Sequence, residues 1–327
     1  LNMDGYSDLV IGAPGADGYT GRAYVYYGGS SMDDITDIVL NGENPNDEFG
    51  ISVSSAGDLN GDGYADIIAG SGSYNSFTGR AYIYLGGISM NSTVDLILNG
   101  EAAVSYFGSS VAKAGDVNGD GYADVIIGAY GFNSISGKAY LNMYGMNGTF
   151  ISTLSMNGSG VLNQFGQSVS SAGDVNGDGY PDIIIGAPFL SPNVGNAYIF
   201  FGGVNMDNIA DVTLSGEASD NRLGQSVSGA GDVNGDGYAD VIAGAYGYGT
   251  FRGRAYVYYG GAVMNNVADV IMTGEAVNND FGNSVAGAGD VNGDGYTDVL
   301  VGAGRYNTET GRAYVYFGGS VMDNIAD

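Results

Sequence analysis

Apolar and polar positions along this chain fall into short runs, with Gly, Asn, Asp and Ser clustered between them. FGISVSSAGD (49–58), YADIIAGSG (64–72), RAYIYLGG (80–87) and STVDLILNGE (92–101) each read as one strand, the third with clear period-two alternation. Nothing carries a sustained 3.6-residue period, so the pattern predicts an all-β chain. The four-strand pattern then recurs. Asp58, Asp116, Asp174, Asp232 and Asp290 each open an acidic stretch and follow one another at a spacing of 58 residues (116 − 58 = 58). Phe49-Gly50, Phe107-Gly108, Phe165-Gly166, Leu223-Gly224 and Phe281-Gly282 keep the same period, as do six copies related to GRAYVYYGG. The approximate units are 1–48, 49–106, 107–164, 165–222, 223–280 and 281–327, the first lacking its first strand and the last its fourth. Four-stranded units repeated without insertion predict a single β-propeller domain of four-stranded blades, with six visible units. An open solenoid fits less well, because a 58-residue unit is too long for one coil.

The acidic stretches carry the candidate chemistry. In the copy at 58–66, Asp58, Asn60, Asp62 and Asp66 place oxygen-bearing side chains at alternate positions, and Gly63 lets the chain curl so that they converge. Tyr64 adds a backbone carbonyl. The same set recurs as Asp116, Asn118, Asp120, Tyr122 and Asp124, then as Asp174, Asn176, Asp178, Tyr180 and Asp182. It recurs again as Asp232, Asn234, Asp236, Tyr238 and Asp240, and as Asp290, Asn292, Asp294, Tyr296 and Asp298. An opening copy keeps Asn2, Asp4, Tyr6 and Asp8, lacks the first aspartate, and has Met3 where the others have Gly. An all-oxygen set of this kind suits Ca²⁺, one ion per loop and up to six in all. The loop is not an EF-hand: the position that would need a bidentate Glu is Ala69, Ile127, Ile185, Ala243 or Val301, and strands flank it. Asp, Asn and Gly are also ordinary turn formers. That reading explains one copy, but not three carboxylates held at the same offsets five times.

Composition changes the picture in three ways. The formal charge is −27, from 36 acidic and 9 basic residues, which argues against nucleic-acid and anionic-membrane partners. Fifteen aspartates of the five full loops, with Asp4 and Asp8, make 17 of those 36 acids. Six Ca²⁺ would therefore leave −27 + 12 = −15. The chain has no Cys, His or Trp, which excludes disulfides, Cys/His zinc sites and histidine-based triads. No apolar run is long enough to span a membrane as a helix.

The combination of Phe-Gly, GDVNGDGYADVIIGA and Gly-Ala-Pro (Gly12-Ala13-Pro14, Gly186-Ala187-Pro188) resembles the FG-GAP repeats of the integrin α-subunit β-propeller. The near-identity of the units is closer to prokaryotic surface proteins of this repeat class than to an animal receptor. The resemblance implies an acidic hairpin loop that joins the first two strands of a blade and binds Ca²⁺. Integrin-type propellers have seven blades. Six full units here would need 6 × 58 = 348 residues, 21 more than the 327 present. Either the chain belongs to a longer one, with a seventh blade, or another polypeptide donates strands. The third unit, YLNMYGMNGTFISTLSMNGSG, predicts less regular third and fourth strands.

Other features are weighed more briefly. The recurrent base at Arg22, Arg80, Lys138, Arg254 and Arg312 suggests pairing with nearby carboxylates. The 26 tyrosines suggest blade packing before sugar stacking. Asn91, Asn147 and Asn157 open glycosylation sequons in expected surface turns. The resulting expectation is a non-enzymatic, Ca²⁺-stabilised protein of the extracellular space or cell surface, acting in adhesion or as a scaffold, surface-layer or filament subunit. Its partners would be proteins or further copies of itself. A glycan-binding propeller is the alternative, and an accessory domain of a secreted hydrolase the third reading.

Overall fold

The computed structural model describes residues 1–31, 33–190 and 193–327. The fold is all-β, six antiparallel sheets in chain order, and its class is that of a β-propeller built of blades. Ser52–Gly57, Asp66–Ser71, Arg80–Tyr84 and Leu96–Asn99 form one four-stranded meander. Ser110–Gly115, Asp124–Ala129, Lys138–Gly145 and Thr149–Asn157 form the next. Two more follow, from Ser168–Gly173 to Val212–Ser215 and from Ser226–Gly231 to Val270–Thr273. The opening sheet (Leu9–Ala13, Arg22–Tyr26, Ile38–Asn41) and the last (Phe281–Gly289, Asp298–Ala303, Arg312–Tyr316) have three strands each. The chain divides into two compact units, Leu1–Asn157 and Gly158–Asp327, and each is described by itself.

Within both units the core lies between successive sheets rather than inside one. The second strand of each four-stranded sheet is buried at every residue, as at Asp66–Ser71. The third strand uses its alternation fully: Ala81 and Ile83 face one way, Tyr82 and Tyr84 the other, and all four are buried. In the first unit Phe49 meets Tyr82 edge-on at 5.1 Å between ring centroids and joins Val25, Leu40, Ile67 and Ala69 in one cluster. In the second, Phe281 packs the same way on Tyr314 at 5.3 Å. The fourth strand is the half-exposed one, with Ile97 41% exposed.

Except in the last sheet, the Phe-Gly pair lies outside the strand expected to contain it. Phe49 instead makes a parallel bridge to Gly21 of the preceding sheet, and Phe107 one to Gly79. Gly108 donates its N–H to the Gly128 carbonyl of its own sheet at 3.0 Å. Its own carbonyl lies where a Cβ on Gly70 would stand, 1.9 Å away. The two glycines therefore let the backbones of neighbouring sheets touch, which no side chain would permit. The segment Tyr74–Phe77, between a second and a third strand, is a single left-handed turn, with Asn75 and Ser76 at φ 47° and 60°.

The third repeat departs from expectation in being more regular, not less. Its third and fourth strands run for 8 and 9 residues. They are joined by a tight turn with Asn147 at φ 60° and Gly148 at φ 69°. Asn-Gly at the centre of a hairpin turn is the reason, since both positions accept left-handed backbone. A register shift between Met143 and Tyr144 absorbs the extra length.

The glycine contact yields a direct test. Gly70→Ala should destabilise the protein by about 1–3 kcal/mol, the usual range for overpacking. Gly29→Ala, with its nearest neighbour at 4.0 Å, should leave the unfolding midpoint in denaturant unchanged.

Candidate metal centre

Each acidic loop is the turn between a first and a second strand, pinned from inside by one buried carboxylate. Asp66, with no exposed surface, accepts the Leu59 N–H on Oδ2 at 2.9 Å and the Gly86 N–H on Oδ1 at 2.8 Å. One side chain thus ties the loop to the end of the third strand. Asp124 does the same for Val117 and Tyr144, Asp182 for Val175 and Gly202, and Asp240 for Val233 and Gly260. Asp298 does so for Val291 and Gly318. In the opening copy Asp8 accepts the Gly28 N–H at 2.9 Å.

The remaining oxygens form a chain of local turns around the exposed tip. Asp58 Oδ1 accepts from Gly61 at 2.7 Å and Asp62 at 3.1 Å, and Oδ2 accepts from Gly63 at 2.8 Å. Asn60 Oδ1 accepts the Asp62 N–H, Asn60 Nδ2 donates to Asp62 Oδ2, and Asp62 Oδ1 accepts the Tyr64 N–H, each at 2.9 Å. Gly63 sits at φ +90° to close the turn. The pattern repeats with little change around Asp174, Asp232 and Asp290. The loop at Asp116 lacks only the contact to its first glycine. In the opening copy Asn2 and Asp4 make the same short links to Asp4 and Tyr6. Asp58, Asn60 and Asp62 are therefore brought together at the tip, and Asp66 lies beneath them. Among the described residues no three acidic side chains are gathered into one ligating cluster; the carboxylates are directed onto backbone amides.

The electrostatics of the loops are one-sided. Among the described residues, no aspartate of the five full loops has a basic group within ion-pair distance. Burial pushes the Asp66 carboxyl up to about 6, and the charges of Asp62 and Asp58 push the same way against the two backbone donors. Burial likewise raises Asp124, Asp182 and Asp240 to about 7, again with their own two loop aspartates adding to it. In the copy at 58–66 a half-buried carboxylate and an exposed one over a buried third, all oxygen and without a protein counter-charge, are a donor set that fits a hard divalent cation.

Successive loops also hold one another. Within the first unit Ala123 donates to the Asp58 carbonyl at 3.1 Å, and Asn147 donates to the Asn60 carbonyl at 3.1 Å. The Tyr122 ring covers Gly61, where a Cβ would stand 2.5 Å from the ring edge. Within the second unit Ala239 and Thr297 donate to Asp174 and Asp232, and Tyr238 and Tyr296 cover Gly177 and Gly235. Sequence reasoning assigned these tyrosines a carbonyl role only; the ring contact was hidden because it joins different repeats.

The recurrent base is paired in every copy that has one. Arg80 contacts Glu43 at 2.8 Å, Lys138 Glu101 at 2.6 Å, Arg254 Glu217 at 2.7 Å and Arg312 Glu275 at 2.8 Å, each reaching back to the preceding repeat. Arg22 takes Asp17 instead, at 2.5 Å. The guanidinium of Arg80 also lies 3.7 Å from the Tyr74 ring centroid. Where the base becomes Asn196, the residue in the acid's place is Ser159, so the two were lost together. The pairs of Arg80 and Arg254, whose bases are partly buried, are each worth roughly 0.2–1 kcal/mol. Of the three sequon asparagines, Asn91 and Asn147 lie in exposed turns, but Asn157 ends a strand, opposite Lys138.

The FG-GAP repeat model matches residues 1–26, 49–84, 107–142, 165–200, 223–258 and 281–316. The chain belongs to the FG-GAP repeat family, of the integrin α-like propeller type. Propellers of this family are typically non-catalytic interaction domains, and its repeats are typical of extracellular or surface proteins. No curated protein matches the chain. Among the described residues no helix is long and apolar enough to cross a membrane.

A pH dependence follows for the metal-free protein. The raised carboxyls favour the folded state fully below the unfolded value of about 3.9. That contribution is lost as pH rises through about 6 for Asp66 and about 7 for Asp124, Asp182 and Asp240. Calorimetry on protein stripped of divalent ions should show the melting temperature falling between pH 4.5 and 7.5.

Proposed function

We propose that this chain is a calcium-stapled extracellular interaction module, acting in adhesion or as a structural subunit at a cell surface, and that it is not an enzyme. The observation that carries the reading is the unpaired charge of the five full loops: three carboxylates per turn, one fully buried, with no protein cation among the described residues to meet them. Asp58, Asn60, Asp62, the Tyr64 carbonyl and Asp66 would hold Ca²⁺ in their repeat, and the equivalent residues would do so in the others. The ion would neutralise the tip and draw onto itself oxygens that otherwise accept backbone N–H groups. A non-catalytic role is supported by the repetition itself. The same acids recur in every repeat, whereas acid–base chemistry needs one asymmetric pair. With no cysteine to staple the chain, metal binding would supply stability outside the cell, where millimolar Ca²⁺ fills even weak sites. Such a module would present its exposed loops to a protein partner or to further copies of itself.

Melting in 2 mM Ca²⁺ against a chelated sample tests this. Sites with dissociation constants of about 10⁻⁴–10⁻³ M would each add roughly 0.6–1.8 kcal/mol, so several loops together should raise the midpoint by about 10 °C or more. Asp62→Ala should lower the bound calcium, counted by elemental analysis, by one ion per chain. An unchanged midpoint together with no bound calcium would overturn the reading and leave the loops as plain turns.

A further inference from the structure

The third repeat departs from the others at two core positions of its third strand: buried Tyr144 stands where they have glycine, and an aromatic is missing two residues earlier. The fifth residue of the third strand is Tyr26, Tyr84, Phe200, Tyr258 or Tyr316 elsewhere, and Asn142 here. In the second repeat that aromatic packs on the Phe of the Phe-Gly pair, with Phe49 and Tyr84 at 6.4 Å; in the last, Phe281 and Tyr316 stand at the same distance. Asn142, with a shorter side chain, has no such ring to set against Phe107. A pocket of about 390 Å³ opens there within the first compact unit, lined by Glu101, Phe107, Tyr140, Asn142, Phe150 and Thr153 among others.

The lining is chemically distinctive. Asn142 is 5% exposed, its Oδ1 accepts the Thr153 hydroxyl at 2.7 Å, and its Nδ2 has no hydrogen-bond partner. An unsatisfied buried amide costs about 1–3 kcal/mol, so a core that lost an aromatic without gaining a ligand would gain nothing from it. Phe150 stands at the pocket with 52% of its surface exposed. Tyr140 donates its hydroxyl to Glu101 at 2.9 Å, and Lys138 neutralises that carboxylate at 2.6 Å. The volume lies within the range of about 300–1,000 Å³ typical of ligand sites, and an apolar wall with a few converging polar groups is their usual make-up.

The geometry points to a binding site for a neutral saccharide ring at the third repeat. A sugar offers a C–H face to Phe150 and a hydroxyl edge to the Asn142 amide, the Thr153 hydroxyl and Glu101. The chain's charge of −27 disfavours anionic ligands. The pocket contains no loop aspartate, so the site stands apart from the calcium reading.

Saturation-transfer NMR in calcium buffer with methyl glucoside, methyl galactoside, methyl mannoside and N-acetylglucosamine tests it. At least one should receive saturation on its ring C–H protons. Asn142→Tyr, which restores the residue of four other repeats, should keep the melting temperature and weaken binding at least ten-fold. Phe150→Ser leaves the pocket open, removes its exposed aromatic wall and should also weaken binding; it serves if the first variant fails to fold. No transfer to any of the four sugars, or transfer unchanged in a folded variant, would overturn the proposal.

Discussion

One buried carboxylate per repeat organises everything around it. Asp66 and its equivalents lie without solvent contact at the start of the most buried strand. Each spends its two oxygens on two backbone amides, one from the loop before it and one from the end of the third strand. Removing either donor would leave a buried acceptor unsatisfied, so loop, second strand and third strand are fixed by a single group. Burial raises its proton affinity, and the two aspartates above it add to that rise. Structure and charge are therefore opposed at this point in the bare chain, an opposition that the proposed Ca²⁺ would relieve.

Much of this was legible in the sequence, because repetition supplies its own control. A constant 58-residue period, four alternating runs per period and glycine-bounded turns define the sheets without reference to any one copy. Strand ends were less legible: Phe49 and Gly50 continue an apolar run, yet they leave the strand to bridge a neighbouring sheet. Nothing in local alternation distinguishes a residue that pairs within its sheet from one that pairs outside it. The contacts between repeats were hidden for the same reason, although the constant interval of 37 residues from each Glu to its base could have revealed them. The hairpin of the third repeat was announced by Asn147-Gly148 and masked by an expectation of decay.

The exceptions are as informative as the rule. Ser159 and Asn196 replace an acid and a base together, which marks a joint given up as a whole. Asn142 replaces an aromatic while Tyr144 replaces a glycine, and the Asn142 amide nitrogen is left without a partner. The first change removes two charges at no cost in unpaired groups. The second leaves a space and a donor, so the third repeat is where the chain holds individuality that its siblings lack.

Within each compact unit the contacts that join one repeat to the next recur at the same motif positions, glycine carbonyl to glycine, glutamate to base, tyrosine ring to loop glycine. Such joints are indifferent to which two repeats meet. Recombination that deletes or copies whole 58-residue segments would therefore regenerate every joint at the seam, whereas a cut elsewhere would not. A gene of this kind can change its repeat number in whole steps while each new junction is already made.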